Sequence, residues 1–337
     1  MKWVLLLFAC LSAGHTMAQQ THELKASPKT VVWGYHDAST PPVLRIKSGD
    51  IVKIESAMIA SPEMLAEVGL PPAEVRAVDR EIHARVTERG PGPHPVTGPV
   101  YVEGAEPSDT LEVRIRAIEL VVPYAYQIFR PGQGLLPEDF PYARAKLVRL
   151  DLGRKVALFS KGVEVPLRPF FGLLAVAPPA LTGRVSSMAP WVHTGNLDNK
   201  ELVAGTTLYM PVHAKGALFQ VGDAHAAQGD GEVCLAALET VLNGTFQFIV
   251  RKDLRLRWPR AETPTHLIAM GMHEDLDEAA KAAGRELIDW LVEAKGLTRD
   301  DAYMLASAAA DFHVTQVVDG KKGIHAMIPK SLFHATR

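Results

Sequence analysis

From residue 30 onward the apolar positions fall in short runs broken by turn formers. Residues 30–33, 43–46, 51–55, 100–102 and 110–120 are rich in Val, Ile, Thr and Tyr and are separated by Gly, Pro, Asp and Ser, the pattern of β-strands. Ser48-Gly49-Asp50 and Pro107-Ser108-Asp109 read as turns. After the second, Leu111-Glu112-Val113-Arg114-Ile115 alternates between a buried and a wet face. Three passages carry helical spacing instead. Residues 72–89 place Val75, Val78, Ile82 and Val86 three and four apart. Residues 274–294 align Leu276, Ala279, Ala280, Leu287, Ile288, Leu291 and Val292 in one stripe, with acids at the start and Lys295-Gly296 as a stop. Thr298, with Asp301 three positions on, caps a further helix through 310. The last two form a helical hairpin, followed by strands at 314–318 and 323–328. The expected fold is mainly β, sandwich- or barrel-like, with a smaller α+β portion and a C-terminal helical hairpin. Subdomains are expected near 19–180 and 181–337, and no internal repeat is visible.

Composition narrows the class. The 337 residues are 47% hydrophobic and 22% charged, as in a globular protein with an ample core, and 26 Gly with 24 Pro agree with many turns. With 36 Lys+Arg against 38 Asp+Glu the net charge is -2, so no global field draws the chain to nucleic acid. Arg251, Lys252, Arg255, Arg257 and Arg260 read as a strand with a solvated face. Met1-Lys2, an apolar run over 3–13 and Thr16-Met17-Ala18 before Gln19 make residues 1–18 an expected cleaved signal peptide. The run is shorter than the roughly 20 residues of a spanning helix. The expected destination is periplasmic or secreted, with no membrane segment after cleavage. Cleavage removes Cys10 and leaves Cys234, so no intrachain disulfide is expected in the mature chain.

Candidate chemistry concentrates between 191 and 232. Residues 218–225 read as a strand, and strict alternation places Phe219, Val221, Asp223 and His225 on one face. Asp and His one residue apart suit a cation with N and O ligands. Gly229 and Gly231 permit a tight loop that returns Glu232 towards them, before an expected strand over 232–235. Asp230-Gly231 is equally a plain hairpin turn. The distance from Asp223 to Glu232 is too short for a twelve-residue EF-hand loop. A second polar cluster, His193-Thr194-Gly195-Asn196-Leu197-Asp198-Asn199, offers imidazole, carboxamide and carboxylate, or simply an Asx-turn connection. A third, Gly92-Pro93-His94-Pro95-Val96-Thr97-Gly98-Pro99, is a proline-stiffened turn presenting His94 and Thr97. A cysteine mechanism would rest on Cys234, which sits in the apolar run Val233-Cys234-Leu235 and reads as core. No Gly-x-Ser-x-Gly elbow supports a serine mechanism.

The strings Thr97-Gly98-Pro99-Val100-Tyr101-Val102-Glu103-Gly104-Ala105-Glu106-Pro107, His193-Thr194-Gly195-Asn196-Leu197-Asp198, Pro211-Val212 and Gly222-Asp223-Ala224-His225-Ala226-Ala227-Gln228-Gly229-Asp230-Gly231-Glu232, in that order and spacing, resemble the acetamidase/formamidase family. The resemblance extends to Pro41-Pro42, Ser48-Gly49-Asp50 and Asp300-Asp301-Ala302-Tyr303-Met304-Leu305. It implies hydrolysis of a short-chain amide to carboxylate and ammonia on a β-rich fold, with a divalent metal, Zn²⁺ first and Ca²⁺ second. It is compatible with a homo-oligomer of unspecified size. Thr194 stands where the family often has Gly, and an export signal is unusual for the family. The residues carried over are His94, His193, Asn196, Asp198, Asp223, His225, Gln228, Asp230 and Glu232. Asp223 and His225, completed by Asp198 or His193, are the expected metal ligands, and Glu232 is the expected general base. Asn196, Gln228 and His94 are expected to bind the substrate. The alternative from a different class is an exported, non-catalytic β-sandwich that binds a small ligand and holds a structural metal.

Overall fold

The computed structural model describes residues 19–334, so the expected signal peptide at 1–18 lies outside the described residues. Two large sheets supply most of the interior. One has nine strands, in the spatial order Thr21–Leu24, Ile51–Glu55, Leu242–Arg251, Thr110–Leu120, Thr207–Pro211, Arg260–Glu262, His266–His273, Lys322–Pro329 and Asp311–Gln316. The other runs Thr194–Asn196, Phe170–Ala175, Phe219–His225, Pro95–Val102 and Val31–Trp33, with Leu44–Ile46 also on Pro95–Val102. Their inner faces share one apolar cluster. Val52, Ile54, Val113, Ile115, Phe246 and Phe248 come from the first, and Val100, Phe171, Leu174, Phe219 and Val221 from the second. This is the expected sandwich. Phe219 meets Phe248 edge to face at 4.9 Å between ring centroids, an arrangement that adds to the gain from burial alone. Both sheets draw strands from either side of residue 180.

The alternating segment forms the strand Thr110–Leu120, with Leu111, Val113 and Ile115 inward. Asp50, in the turn before Ile51–Glu55, accepts from the amides of Lys47 (2.9 Å) and Gln20 (2.9 Å), fixing that corner.

The helical hairpin is Leu276–Lys295 and Arg299–Ala309. The Asp275 carboxylate accepts from Glu278 N at 3.0 Å and Thr298 Oγ1 from Asp301 N at 3.1 Å, both N-caps. Gly296, at φ +65°, closes the first helix. Leu287 and Leu291 pack on Ala326 and Ile328 of the nine-stranded sheet. Gly271 lets the helix lie close, because a Cβ there would strike the Ala279 carbonyl. Among the described residues no helix is long and apolar enough to cross a membrane.

Three expectations need correction, and two elements were not expected. Residues 72–89 are a 3₁₀ turn, Pro72–Glu74, and a separate helix, Ala77–Arg85, because Val75 is extended at ψ 126° and breaks the path. Residues 232–235 form no strand. Glu232 and Leu235 take positive φ, Val233 is exposed and Cys234 is half-buried rather than core. The basic stretch is the end of Leu242–Arg251 and a loop, and Arg260 is buried in an ion pair with Glu286. A four-stranded sheet, Val163–Pro166, Val156–Ser160, Arg144–Asp151 and Tyr124–Phe129, was not anticipated. Neither was the short helix Pro62–Glu67, although its Ser61 cap and leading proline are visible in sequence.

Candidate active site

Phe219–His225 carries the apolar core into the polar site. Phe219, Val221 and Ala224 all lie in the main apolar cluster, so strict alternation fails between 221 and 224. The cause is Asp223, which takes φ +53°. That left-handed residue shifts the parity and turns Asp223 and His225 away from the face holding Phe219 and Val221. The expectation of one shared face is therefore wrong, although the two ligand-type residues do meet.

His225 is the hub. Its Nε2 lies 3.2 Å from Asp223 Oδ2 and 3.3 Å from Glu239 Oε2, and its Nδ1 lies 3.9 Å from Asp198 Oδ1. The ring of Phe170 stands edge-on to the imidazole at 5.0 Å and fixes its plane. Two groups of potential ligands share this histidine, namely Asp223, His225 and Glu239, and Asp198, His225 and Glu232. Glycine makes the convergence sterically feasible. A Cβ on Gly172, in the neighbouring strand Phe170–Ala175, would clash with Asp198 Oδ1 and come within 2.6 Å of Asp223 Oδ2. The Gly172 carbonyl also accepts from Leu197 N (3.0 Å) and Asp198 N (3.1 Å), seating the Asp198 backbone.

Glu239 arrives by exchanging backbone hydrogen bonds with Tyr126, 2.8 Å in each direction. Asp319, at the tip of the hairpin between Asp311–Gln316 and Lys322–Pro329, reaches Asn196. Asn196 Nδ2 donates to Asp198 Oδ2 at 2.6 Å and to Asp319 Oδ2 at 3.2 Å. Gln228 Nε2 donates to the Asp198 carbonyl at 2.7 Å, which ties down the loop before Glu232. His94 Nδ1 contacts the Ser187 carbonyl at 3.0 Å. A carbonyl only accepts, so Nδ1 carries a hydrogen, and Nε2 stands 3.7 Å from Asp223 Oδ1.

These groups stand beside a cavity of about 450 Å³ whose polar wall includes His94, Asn196, Asp223, Glu232, Glu239 and Asp319. The rest of its lining mixes apolar side chains, Trp33, Met64, Ile128 and Met188, with the guanidinium-bearing Arg89 and Arg130. His193 lies elsewhere. It is buried with its ring 5.3 Å from His36, and belongs to neither ligand group. Asp230 also points away from the cavity, towards Lys200 (2.8 Å) and His313 (3.1 Å). Sequence reasoning missed Glu239 and Asp319. The signals were faint: one acid in the run Ala236-Ala237-Leu238-Glu239-Thr240, and Asp319-Gly320, which looks like any turn.

Burial governs the electrostatics. It raises the Asp198 carboxyl well above the usual range, and the neighbouring Glu232 and Asp319 add to the effect. It raises Glu232 likewise, reinforced by Asp319. Glu239 is pushed up to about 7 by burial, against the pull of His225. Asp319 is also pushed up to about 7 by burial, opposed by its hydrogen bonding with Asp198. Burial opposes charge on Asp223 too, but the His225 and His94 imidazoles hold that carboxyl below the usual range. Burial disfavours the His225 imidazolium, yet Glu239 and Asp223 raise its pKa well above that of free histidine. The cluster thus holds more acid than its imidazoles can balance.

The donor set fits a divalent cation. Asp198 Oδ1, Glu232 Oε2, Glu239 Oε2 and both ring nitrogens of His225 are buried without a hydrogen-bond partner. Buried polar atoms in folded proteins are ordinarily satisfied. Carboxylate oxygens and imidazole nitrogens in one place are a ligand set for Zn²⁺ and related ions.

A β-sandwich whose buried carboxylates and histidine line one end of a small cavity defines a hydrolase-type centre more readily than a structural site, which would be closed. The Acetamidase/Formamidase family model matches residues 19–183 and 181–335, and the chain belongs to that family. Among solved structures it is similar to an acetamidase from Bacillus halodurans, at 30% identity and TM-score 0.78, covering 92% of this chain and 98% of that one. It is also similar to an acetamidase from Yersinia enterocolitica, at 28% identity and TM-score 0.80, covering 96% of each chain. A formamidase from Methylophilus methylotrophus is 25% identical over 42% of this chain and 47% of its own length. The match thus spans about half of that curated relative, as it does for a putative formamidase from Schizosaccharomyces pombe, also at 47%.

Proposed function

We propose that the chain hydrolyses a short acyl amide to a carboxylate and ammonia with the help of one divalent metal ion. The observation that carries this reading is the pairing of partnerless, buried ligand atoms with an adjoining cavity of about 450 Å³, room enough for a small acyl amide. Family membership and the similarity to acetamidases and a formamidase support the substrate class.

Asp223, His225 Nε2 and Glu239 would hold the ion, since both carboxylates also line the cavity. In that position a divalent ion supplies Lewis acidity, polarising the amide carbonyl and acidifying water from a pKa of about 15.7 towards about 7. Asp198 Oδ1 stands 3.9 Å from His225 Nδ1, on the side of the ring away from Asp223 and Glu239, and the Phe170 ring fixes the imidazole plane. Glu232 on the cavity wall takes the proton from the attacking water and passes it to the departing nitrogen. Neutral amides expel an unprotonated nitrogen very poorly, so this transfer is the demanding step. Burial raises Glu232 above the usual carboxylate range, the direction required of a group that must hold a proton before giving it to the leaving nitrogen. Asn196 keeps Oδ1 unpartnered on the same wall, where it can accept from the substrate NH₂. Cys234 takes no part in this scheme. Its Sγ faces Gln127 Nε2 (3.6 Å) and the Ala236 carbonyl (3.5 Å), not the carboxylate cluster.

The test is ammonia release from formamide, acetamide and propionamide by the purified protein, before and after chelation and with Zn²⁺ or Ca²⁺ restored. Turnover lost on chelation and recovered with metal is expected. Turnover indifferent to chelation would remove the metal from the mechanism, and no ammonia from metal-replete protein would remove the short-amide reading.

A further inference from the structure

We propose a second cation site, separate from the cavity, formed by Asp230, His313 and His325, which takes a Zn²⁺-type ion and clips the loop bearing Glu232 to the hairpin bearing Asp319. The site begins with strand register. His313 and His325 are directly opposed partners on the antiparallel strands Asp311–Gln316 and Lys322–Pro329. Opposed residues project on one face, close enough for their side chains to meet. Their rings stack at 4.9 Å between centroids and 8° between planes.

The third ligand comes from the glycine loop. Gly231 N donates to the Thr315 carbonyl at 3.0 Å and Val317 N to the Gly231 carbonyl at 3.1 Å. This short parallel bridge sets Asp230 beside the histidine pair. One ligand atom from each of Asp230, His313 and His325 lies within 4.8 Å of the others. Asp230 Oδ2 and His313 Nδ1 are 3.1 Å apart. Two ligands each about 2.1 Å from a tetrahedral ion lie about 3.4 Å apart, so small adjustment suffices.

His325 supplies the independent indication of a ligand. It is wholly buried, its Nδ1 is 2.8 Å from Thr315 Oγ1, and its Nε2 has no partner. A threonine hydroxyl on one ring nitrogen leaves the other to ligate, the arrangement that fixes metal-binding histidines. Two imidazoles and a carboxylate favour Zn²⁺ over Ca²⁺ or Mg²⁺, which prefer oxygen. His313 and Asp230 are partly exposed, so water can reach the fourth position. Lys200 Nζ, 2.8 Å from Asp230 Oδ2, is the competing charge, and it gives way when the ion binds.

None of these side chains lines the cavity, so the test does not depend on turnover or on the amidase reading. Protein stripped with chelator is titrated with Zn²⁺ by calorimetry, comparing wild type with His313→Gln. Wild-type crystals soaked in Zn²⁺ are measured at the zinc absorption edge. The expected result is a binding event in wild type that His313→Gln weakens at least about tenfold, and an anomalous peak between Asp230, His313 and His325. Identical isotherms for the two proteins, or no anomalous peak there at saturating Zn²⁺, would overturn the site. The crystallographic measurement decides the matter even if the variant folds poorly.

Discussion

The strand Phe219–His225 is buried along its whole length, yet its two ends sit in opposite chemistry. Phe219 and Val221 pack into an aromatic core with Phe246 and Phe248. Asp223 and His225, a few residues on, stand among Asp198, Glu232 and Glu239. The apolar end shifts register against Pro95–Val102 between Phe219 and Val221, but its side chains are satisfied by contact. At the polar end Asp198, Asp223 and Glu232 all take positive φ, and Asp198 Oδ1, Glu232 Oε2 and Glu239 Oε2 lack hydrogen-bond partners. Such conformations cost about 1–3 kcal/mol each and persist where the surroundings enforce them. The aromatic sandwich is that enforcing frame, and the site draws on stability generated next to it.

If the two ends have these separate roles, substitutions should separate activity from stability. The largest effect is expected for Glu232→Gln, which should lower kcat by about 10²–10⁴-fold while circular dichroism and metal content stay unchanged. Unchanged turnover would remove Glu232 from the proton transfer. At the other end, Phe246→Ala should cost about 3–5 kcal/mol in denaturant unfolding, with kcat preserved under native conditions. A loss below about 1 kcal/mol would mean that the core does not brace the site.

A third outcome concerns pH. Glu239 and Asp319 have folded pKa values of about 7, raised from 4.5 and 3.8. Groups raised in this way contribute stability below about pH 4 and lose it as pH rises through about 7. The Tm of chelator-treated protein should therefore fall between pH 5 and 8, at about 2–4 °C per kcal/mol lost. Added Zn²⁺ should raise Tm more at pH 8 than at pH 5, because metal and protons compete for the same oxygens. Equal metal stabilisation at both values would contradict the carboxylate assignment. The smallest effect belongs to a region remote from both ends. Thr298→Ala removes an exposed N-cap and should cost about 1 kcal/mol in thermal unfolding, with turnover untouched.

Much of the sandwich was legible because its signals are local. The alternation through Leu111, Val113 and Ile115, the Thr298 cap and the Gly296 stop depend on neighbours a few residues away, and each appears in the structure where the pattern placed it. The sheet from Tyr124–Phe129 to Val163–Pro166 was missed because its burial is partial and it gives no clean alternation. In the site, Asp223, His225 and Glu232 were visible as a dense run with two flexible glycines. The parity shift at Asp223 was not visible, because alternation alone contains no sign of a left-handed residue.

The sequence by itself determined the β-rich class, the helical hairpin and the family, and it pointed to Asp223, His225 and Glu232 as one chemical group. Those properties follow from local periodicity, capping and an ordered motif. Tertiary structure alone decided that Glu239 and Asp319 complete the cluster, that His193 turns to His36, and that Asp230 faces His313 and His325. These partners lie far apart along the chain or depend on which way a loop turns. Their meeting is enforced by strand register and by the bare Cα of Gly172, through which separated carboxylates can crowd around one imidazole.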